Sequence, residues 1–493
     1  MATYIIAIDQ STSATKAMLF SEHCEMVRRV NVAHKQYYPQ TGWVEHDAEE
    51  IYNNMITAVS QLLEGEDTAA NDYSLAITNQ RETAVVWSKT SGKPVCNAVV
   101  WQCTRGEELC NRLKNEGYGD MVREKTGLLI DPYFSASGVK WILDNVEGAR
   151  SAAEQGDLLM GTIDSWLVWR LTNGQCHATD YTNASRTLLF NIHTLDWDDE
   201  LLRLFTIPRS MMPKPMPSDA IYGETTIGGI LPHPIAIAGI LGDSHGALVG
   251  QMCFEPGMGK ATYGTGSSVM VNIGEKAKPA PQGLVTSVGF AALGKVFYSF
   301  EGNIHCTGAT INWLMNNLKM ISSPAEIEEA ALSVPDNGGV YIVPAFAGLG
   351  APWWNNDVRA AISGMTLGTE RNHILRATLE SIAYQIYDLV GTMAGQAGIA
   401  VKEMRVDGGP TKNNLLMQYQ TDCLRVPVDC SNIEEASALG AVIMNRTALG
   451  AMTNFEEIQA MRSSRKRYQP QDNAALMEQY IKGWHNAVSQ LLK

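Results

Sequence analysis

Tyr4 to Phe20 reads YIIAIDQSTSATKAMLF, and the fold is decided by how this stretch is read. An apolar run of strand type ends at Asp9, passes through the polar turn Gln10-Ser11-Thr12-Ser13-Ala14-Thr15, and resumes as a second apolar strand. The pattern predicts a hairpin with a polar tip. Consecutive backbone N–H groups and small hydroxyls at such a tip suit a phosphate, and a carboxylate on the strand just before it suits Mg²⁺, usually through water. Taken alone, the same residues also describe an ordinary hairpin with a Ser/Thr turn.

Working outward, 493 residues exceed what one core organises, so two domains with a cleft between them are expected. The 45% hydrophobic and 18% charged content is that of a water-soluble globular chain, and no uninterrupted apolar run reaches spanning length. The N-terminus enters a strand at once, with no basic segment followed by an apolar signal core, so a cytoplasmic location is expected and the sequons at Asn183 and Asn445 carry no meaning. Nine cysteines without CxxC spacing fit reduced, mostly buried thiols and argue against structural zinc. A net charge of −14 disfavours a nucleic-acid partner. The one basic cluster, Arg462 with Arg465, Lys466 and Arg467, reads as a solvated surface near a helix end. Neither a P-loop motif nor GxGxxG after a strand occurs, so any phosphate site is of another kind.

In chain order, a helix is expected from about Ala48 to Leu63, and Leu75 to Ile77 reads as a buried strand running into Asn79-Gln80-Arg81-Glu82-Thr83. Strand ends of this kind are where open α/β sheets place ligand groups, and Arg81 with Glu82 suits neighbouring hydroxyls, or else forms a surface ion pair. A short strand ends at Trp101-Gln102, and Asp131-Pro132-Tyr133-Phe134 offers aromatics for a pocket wall or for the core. Gly161 to Leu171 reads as an amphipathic helix, and the Pro- and Gly-rich Pro208 to Ile230 as a long surface connection. The strand Ile235 to Ile240 delivers Asp243 to its carboxyl end just before a helix expected over Ala247 to Cys253. Asp243 is the candidate general base, with a helix N-cap as the alternative.

The turn Glu255-Pro256-Gly257 marks the expected domain boundary, giving domains of 1–253 and 254–493. Beyond it, Lys260 to Asn272, KATYGTGSSVMVN, repeats the opening logic of strand, small polar turn and strand. Two phosphate-type hairpins, one at the start of each half, predict a duplicated architecture. Met404 to Gly409 reads as a strand entering a glycine turn before a helix from about Asn413, where backbone approaches a ligand closely and a helix N-terminus favours an anion, or as a plain β-to-α turn.

Taken together, these residues resemble the FGGY carbohydrate kinases, and among them the members that phosphorylate glycerol. The resemblance rests on the DQST hairpin, GWVEHD from Gly42, ITNQRET from Ile77, VVWQC from Val99, GLLIDPYFS from Gly127, TDYTNASRTLLFNIHTLDWDD from Thr179, YGTG from Tyr263, GLGAPWW from Gly348 and VDGG from Val406. A second signature runs from Ala360 through Gly364 to His373, Ala377 and Glu380. The resemblance implies an α/β fold of two actin-like domains, of the ribonuclease H-like, hexokinase and Hsp70 type, with ATP and substrate meeting in the interdomain cleft. It implies Arg81, Glu82, Trp101 and Tyr133 as polyol contacts and Asp243 as the group that takes the proton of the attacking hydroxyl. Asp9 is implied as the Mg²⁺-linked carboxylate, with Thr12, Ser13 and Lys16 on the first phosphate hairpin and Thr265 and Gly266 on the second. Gly308, Asn312, Gly409 and Asn413 are implied as nucleotide positions. A homodimer or homotetramer, with a small polyol or sugar as the only partner, completes the expectation.

The departures from that pattern concern specificity. Ser244 stands where the family's glycerol-specific members carry Gln, and Ser268 where they carry Phe. Both changes shorten side chains expected to face substrate, so either His245 compensates or the pocket takes a longer polyol or ketose. Lys16 and Ala14 replace a customary Arg and Ser, and Gly228 to Pro234 replaces the Arg-ending loop through which fructose bisphosphate inhibits some members. A non-catalytic, actin-like nucleotide-binding regulator is the alternative of another class.

Overall fold

The computed structural model describes residues 2–355 and 357–493. The opening stretch forms the predicted hairpin, β1 Thr3–Gln10 and β2 Ala14–Ser21. Its strands are apolar on both faces because helices cover both sides of the sheet they enter. With β3 Met26–Ala33, β4 Asp72–Asn79, β5 Ile221–Thr225 and β6 Ile235–Gly242, they build a six-stranded sheet in the order β5-β6-β4-β1-β2-β3. The strands β1, β4 and β6 are parallel, so Asp9, Gln80 and Asp243 follow strands that end at one edge.

The second half repeats this plan. A seven-stranded sheet is ordered β9-β10-β8-β7-β11-β12-β13, where β7 is Met258–Tyr263, β8 Ser267–Gly274, β9 Val285–Ala292, β10 Lys295–Ile304, β11 Glu403–Gly408, β12 Val428–Ser431 and β13 Ser464–Tyr468. The succession β10-β8-β7-β11-β12 matches β3-β2-β1-β4-β6 in strand direction, an antiparallel hairpin beside three parallel strands. Two actin-like units of one topology therefore face each other.

The units are joined by more than the intervening chain. The helix α1 Asp243–Gly250 packs against α2 Ala436–Ala448, which lies on the first sheet although it comes from the second half of the sequence. Contact is backbone to backbone: a Cβ on Gly440 would stand 2.0 Å from the Gly246 carbonyl oxygen. Asn445, buried on α2, donates to the carbonyls of Leu75 and Ala238 and accepts from Ser74, so it fastens the helix across β4 and β6.

Four sequence expectations change. The helix beginning at Asp243 starts four residues before the predicted one, and Gly242 occupies the N-cap, so Asp243 sits in the first turn rather than capping it. Ile163–Leu171 is buried nearly all round, with Trp166 and Trp169 packed on Trp87, and is not amphipathic. The Pro208 to Ile230 connection contributes the edge strand β5 and the strand Lys214–Met216 paired to Ala178–Asp180. The basic cluster holds as expected for Arg465, Lys466 and Arg467, which are exposed on the edge strand β13 soon after the helix Phe455–Ala460, but not for Arg462, which precedes that strand and is sealed onto Asp429 at 2.6 Å. All nine cysteines are free thiols. Among the described residues, no helix is long and apolar enough to cross a membrane.

Candidate active site

The first hairpin tip is closed by Ser11, whose N–H and hydroxyl both donate to the Ala14 carbonyl at 2.9 Å. That closure leaves the N–H groups of Thr12 and Ser13 without a partner among the described residues. The second tip behaves likewise: Gly264 N–H is spent on Gly266 O at 2.8 Å, while the N–H groups of Thr265 and Gly266 are free among the described residues. The helix Gly308–Asn316 is pinned onto this tip, with Gly308 N–H donating to Gly264 O and Ala309 N–H to Thr265 O. Unspent amides on two facing turns are a site for anionic oxygens.

Asp9 ends β1 at 7% exposure, opposite Lys16 in the hairpin register. Lys16 Nζ lies 3.6 Å from Asp9 Oδ2 but 2.7 Å from Glu435 Oε2, so the ammonium expected on the phosphate turn is shared between two carboxylates. Burial pushes the Asp9 carboxyl up to about 6, Lys16 pulls against that, and the charges of Asp243 and Glu435 add to the rise. Excess negative charge in a buried, oxygen-lined corner fits a divalent cation held mainly through water.

Beside the first tip, Trp101 donates from Nε1 to Thr12 Oγ1 at 3.1 Å and meets Tyr133 edge-on at 5.4 Å. Behind them lies an ionic network absent from the sequence expectations. Arg81 grips Glu301 with both terminal nitrogens, at 2.8 and 2.7 Å, and points Nε at Asp243 Oδ1 at 3.1 Å. Arg186 lies 2.5 Å from Glu82 and 2.9 Å from Glu301. Burial raises the Glu301 carboxyl, but the guanidiniums of Arg186 and Arg81 overcome it and hold the group well below the carboxylate range. Glu82 goes the other way, because burial exceeds the pull of Arg186 and Arg81.

Asp243 is the open member of this network, its side chain 39% exposed at the start of α1. Ser244 N–H donates to Asp243 Oδ1 at 2.6 Å, fixing the carboxylate at the cleft. His245 is fully buried, with Nε2 at 3.0 Å from Ser287 Oγ and Nδ1 at 3.5 Å from Arg81, and burial holds it neutral. Both of its ring nitrogens are thus taken up by neighbours on the protein side. Ser268 accepts from Lys260 Nζ at 3.2 Å.

A cavity of about 570 Å³ opens next to the second tip. Thr265, Gly308, Asn312, Gly409 and Asn413 line it, with Ile311 and Ile327 supplying apolar wall. Gly266 stands at the tip outside that lining. The predicted residues thus gather in three adjoining places: hairpin tips, ionic network and cavity. Sequence reasoning missed Arg186, Glu301, Lys260 and Glu435. Arg186 lies within a motif that was singled out, whereas Glu301 is a lone acid inside an apolar strand, itself a signal of a buried ion pair.

Two hairpins of one topology facing a common cleft, with a carboxylate poised between them, are the architecture of the actin-like phosphotransferases. The sequence matches the N-terminal domain of the FGGY family of carbohydrate kinases over residues 4–250 and the C-terminal domain over 259–449. The chain belongs to the FGGY family of carbohydrate kinases. It is 51% identical over 490 residues to glycerol kinase 1 of Thermotoga maritima, and 48% identical over 489 residues to glycerol kinase of Bacillus cytotoxicus, with 99% of each chain covered in both cases. The structure of Plasmodium falciparum glycerol kinase with ADP superposes with a TM-score of 0.95 at 33% identity, covering 100% of this chain and 99% of that one. Ligand-bound xylulose kinase of Lactobacillus acidophilus shares the fold, with a TM-score of 0.90 at 20% identity.

Proposed function

We propose that this enzyme transfers the γ-phosphoryl group of ATP to a terminal hydroxyl of glycerol. The observation that carries the reading is the placement of Asp243, open to the cleft, fixed by Arg81 and flanked by two turns with unspent amides. The relatives named glycerol kinase, matched over nearly the full chain, support the acceptor.

In this reading the cavity holds the nucleotide, with Gly308, Asn312, Gly409 and Asn413 along it and its phosphates reaching Thr265 and Gly266. The amides of Thr12 and Ser13 take γ-phosphoryl oxygens from the other side, with Lys16 adjacent. Asp9 is the carboxylate that holds Mg²⁺, which when bound neutralises phosphate charge. Arg81 and Glu82 hold the polyol hydroxyls, and Trp101 and Tyr133 wall its carbon side. The terminal hydroxyl oxygen attacks phosphorus in line, its proton passes to Asp243, and the bond to the ADP oxygen breaks. Most of the acceleration comes from positioning and charge complementarity. Closure of the two units excludes water and limits hydrolysis. Cytoplasmic location and a homodimeric or homotetrameric assembly complete the reading on the family resemblance.

The half-buried Ser244 and Ser268, shorter than the side chains at these places in the family's glycerol-specific members, favour a second reading in which longer polyols or ketoses are also accepted. ADP release across glycerol, dihydroxyacetone, erythritol, threitol, xylitol and pentuloses tests both. Highest kcat/KM on glycerol supports the first. A longer acceptor winning refutes it, and Ser244→Gln with Ser268→Phe then restores preference for glycerol.

A further inference from the structure

Lys16, Arg81, Arg186 and Arg405 each have a carboxylate at ion-pair distance. Lys260 has none. It is 1% exposed and is the only buried lysine among the described residues. Its Nζ donates to two neutral hydroxyls, Thr262 Oγ1 at 3.4 Å and Ser268 Oγ at 3.2 Å. An ammonium has three donors, so one N–H is left over. Burying such a group without a direct ion-pair partner is costly, and an anionic ligand would supply that partner.

The strand register aims this ammonium. Thr262 and Ser268 are cross-strand partners, one pair below Tyr263 and Ser267, where the second hairpin turns. Lys260 lies two residues before Thr262 on β7, so a stem ending between those two hydroxyls runs along the sheet face toward the Gly264 to Gly266 tip. Burial disfavours its charge, the carboxylates of Asp407 and Glu301 favour it from beyond ion-pair distance, and Arg81 and Asp243 are also near enough for their charges to act on it. The unspent amides of Thr265 and Gly266 stand at the end toward which it points.

We infer that Lys260 donates a hydrogen bond to an oxygen of the phosphoryl group in flight, from the second hairpin's side and opposite the first. The inference rests on the phosphotransfer reading above. In that step the acceptor oxygen forms its bond to phosphorus, the bond to the bridging oxygen of ADP breaks with its electron pair, and the hydroxyl proton goes to Asp243. Lys260 keeps its proton throughout. Charge gathers on the phosphoryl oxygens in the transition state, so a donor placed there acts on kcat more than on binding.

The test is Lys260→Met in the full chain, with Lys260→Gln, which keeps a bond to both hydroxyls, as the second variant. Four quantities are read: melting temperature, kcat, KM for ATP and glycerol, and polyol-free ATP hydrolysis. We expect both variants to melt at or above the wild-type temperature, because an unpaired buried charge is gone. A fall in kcat of about 10²–10³-fold is expected, the usual cost of one preorganised donor. KM values stay within about threefold, ATP hydrolysis falls in proportion, and Lys260→Arg recovers part of the loss. Wild-type kcat in either neutral variant overturns the inference. So does a lowered melting temperature with kcat and KM worsening together, which marks a structural counter-charge for Asp407. If the wild type phosphorylates no polyol yet its ATP hydrolysis still drops in Lys260→Met, the acceptor reading fails and the role of Lys260 stands.

Discussion

Replacing Asp9 with Asn should stabilise the ligand-free protein while ending phosphoryl transfer. The carboxyl is buried, and its affinity for a proton is raised from 3.8 to about 6 in the folded chain. A group with a raised folded value binds protons more tightly folded than unfolded. Its ionisation therefore costs nothing below about pH 4 and costs progressively more as pH rises through 6. The difference, 6 minus 3.8, is about 2 pH units, which at 1.36 kcal/mol per unit amounts to about 3 kcal/mol at pH 7.5. Asn keeps the shape without the charge. For units of this size, that corresponds to a melting temperature about 6–12 °C higher at pH 7.5, falling to about a third of that at pH 4.5 and vanishing below about pH 4. Thermal scans of wild type and Asp9→Asn across this range, without nucleotide, measure the difference. Transfer to glycerol should meanwhile fall at least about 100-fold, since the corner that neutralises phosphate charge is lost. An equal or lower melting temperature for Asp9→Asn at pH 7.5, or a gain that does not depend on pH, refutes the reasoning. Retained turnover with the stability gain refutes only the role given to Asp9.

Asp243→Asn should lower kcat by about 10²–10⁴-fold with the melting temperature unchanged, because Asp243 is half-open and serves as the base; wild-type turnover would remove it from that role. Glu301→Gln takes one carboxylate from two buried guanidiniums, so it should cost about 3–5 kcal/mol and raise KM for glycerol through Arg81, read by denaturant unfolding and initial rates. The ring of His485, on the helix Ala474–Leu491, sits 2.7 Å from Asp388 on the helix Arg371–Ala397, and that bond raises its proton affinity. Its stabilising share is full below the unfolded histidine value and is lost as pH rises through the folded one. His485→Ala should accordingly destabilise more at pH 5.5 than at pH 9, which thermal scans at both values check.

Both hairpins, the duplication and the strand ends bearing Arg81, Glu82 and Asp243 were legible from residue order. Alternation of apolar runs with small polar turns is local, and a strand's register with its own hairpin partner is set by the turn between them. The positions drawn from the family resemblance converge for the same reason: Thr12, Ser13, Thr265 and Gly266 present backbone amides that a tight turn leaves without a partner among the described residues. The burial of Ile163–Leu171 is not legible because sidedness depends on what covers a helix: Trp87 packs on Trp166 and Trp169, while Asp164 is buried with Thr179 bonded to its carboxylate.

What the order of residues determined by itself is therefore the set of local devices: two polar hairpin turns, a carboxylate at a strand end and a chain long enough for a cleft. The tertiary structure alone decided how charge is shared among them. Lys16 is pulled from its turn by Glu435, 419 positions away, and Arg81 by Glu301, 220 positions away. The same packing turned His245 inward, brought α2 from the second half onto the first sheet, and left Lys260 with no carboxylate at ion-pair distance among the described residues. Coulomb and desolvation energies depend on distance in space and on burial, and neither follows from spacing along the chain until the two sheets are packed.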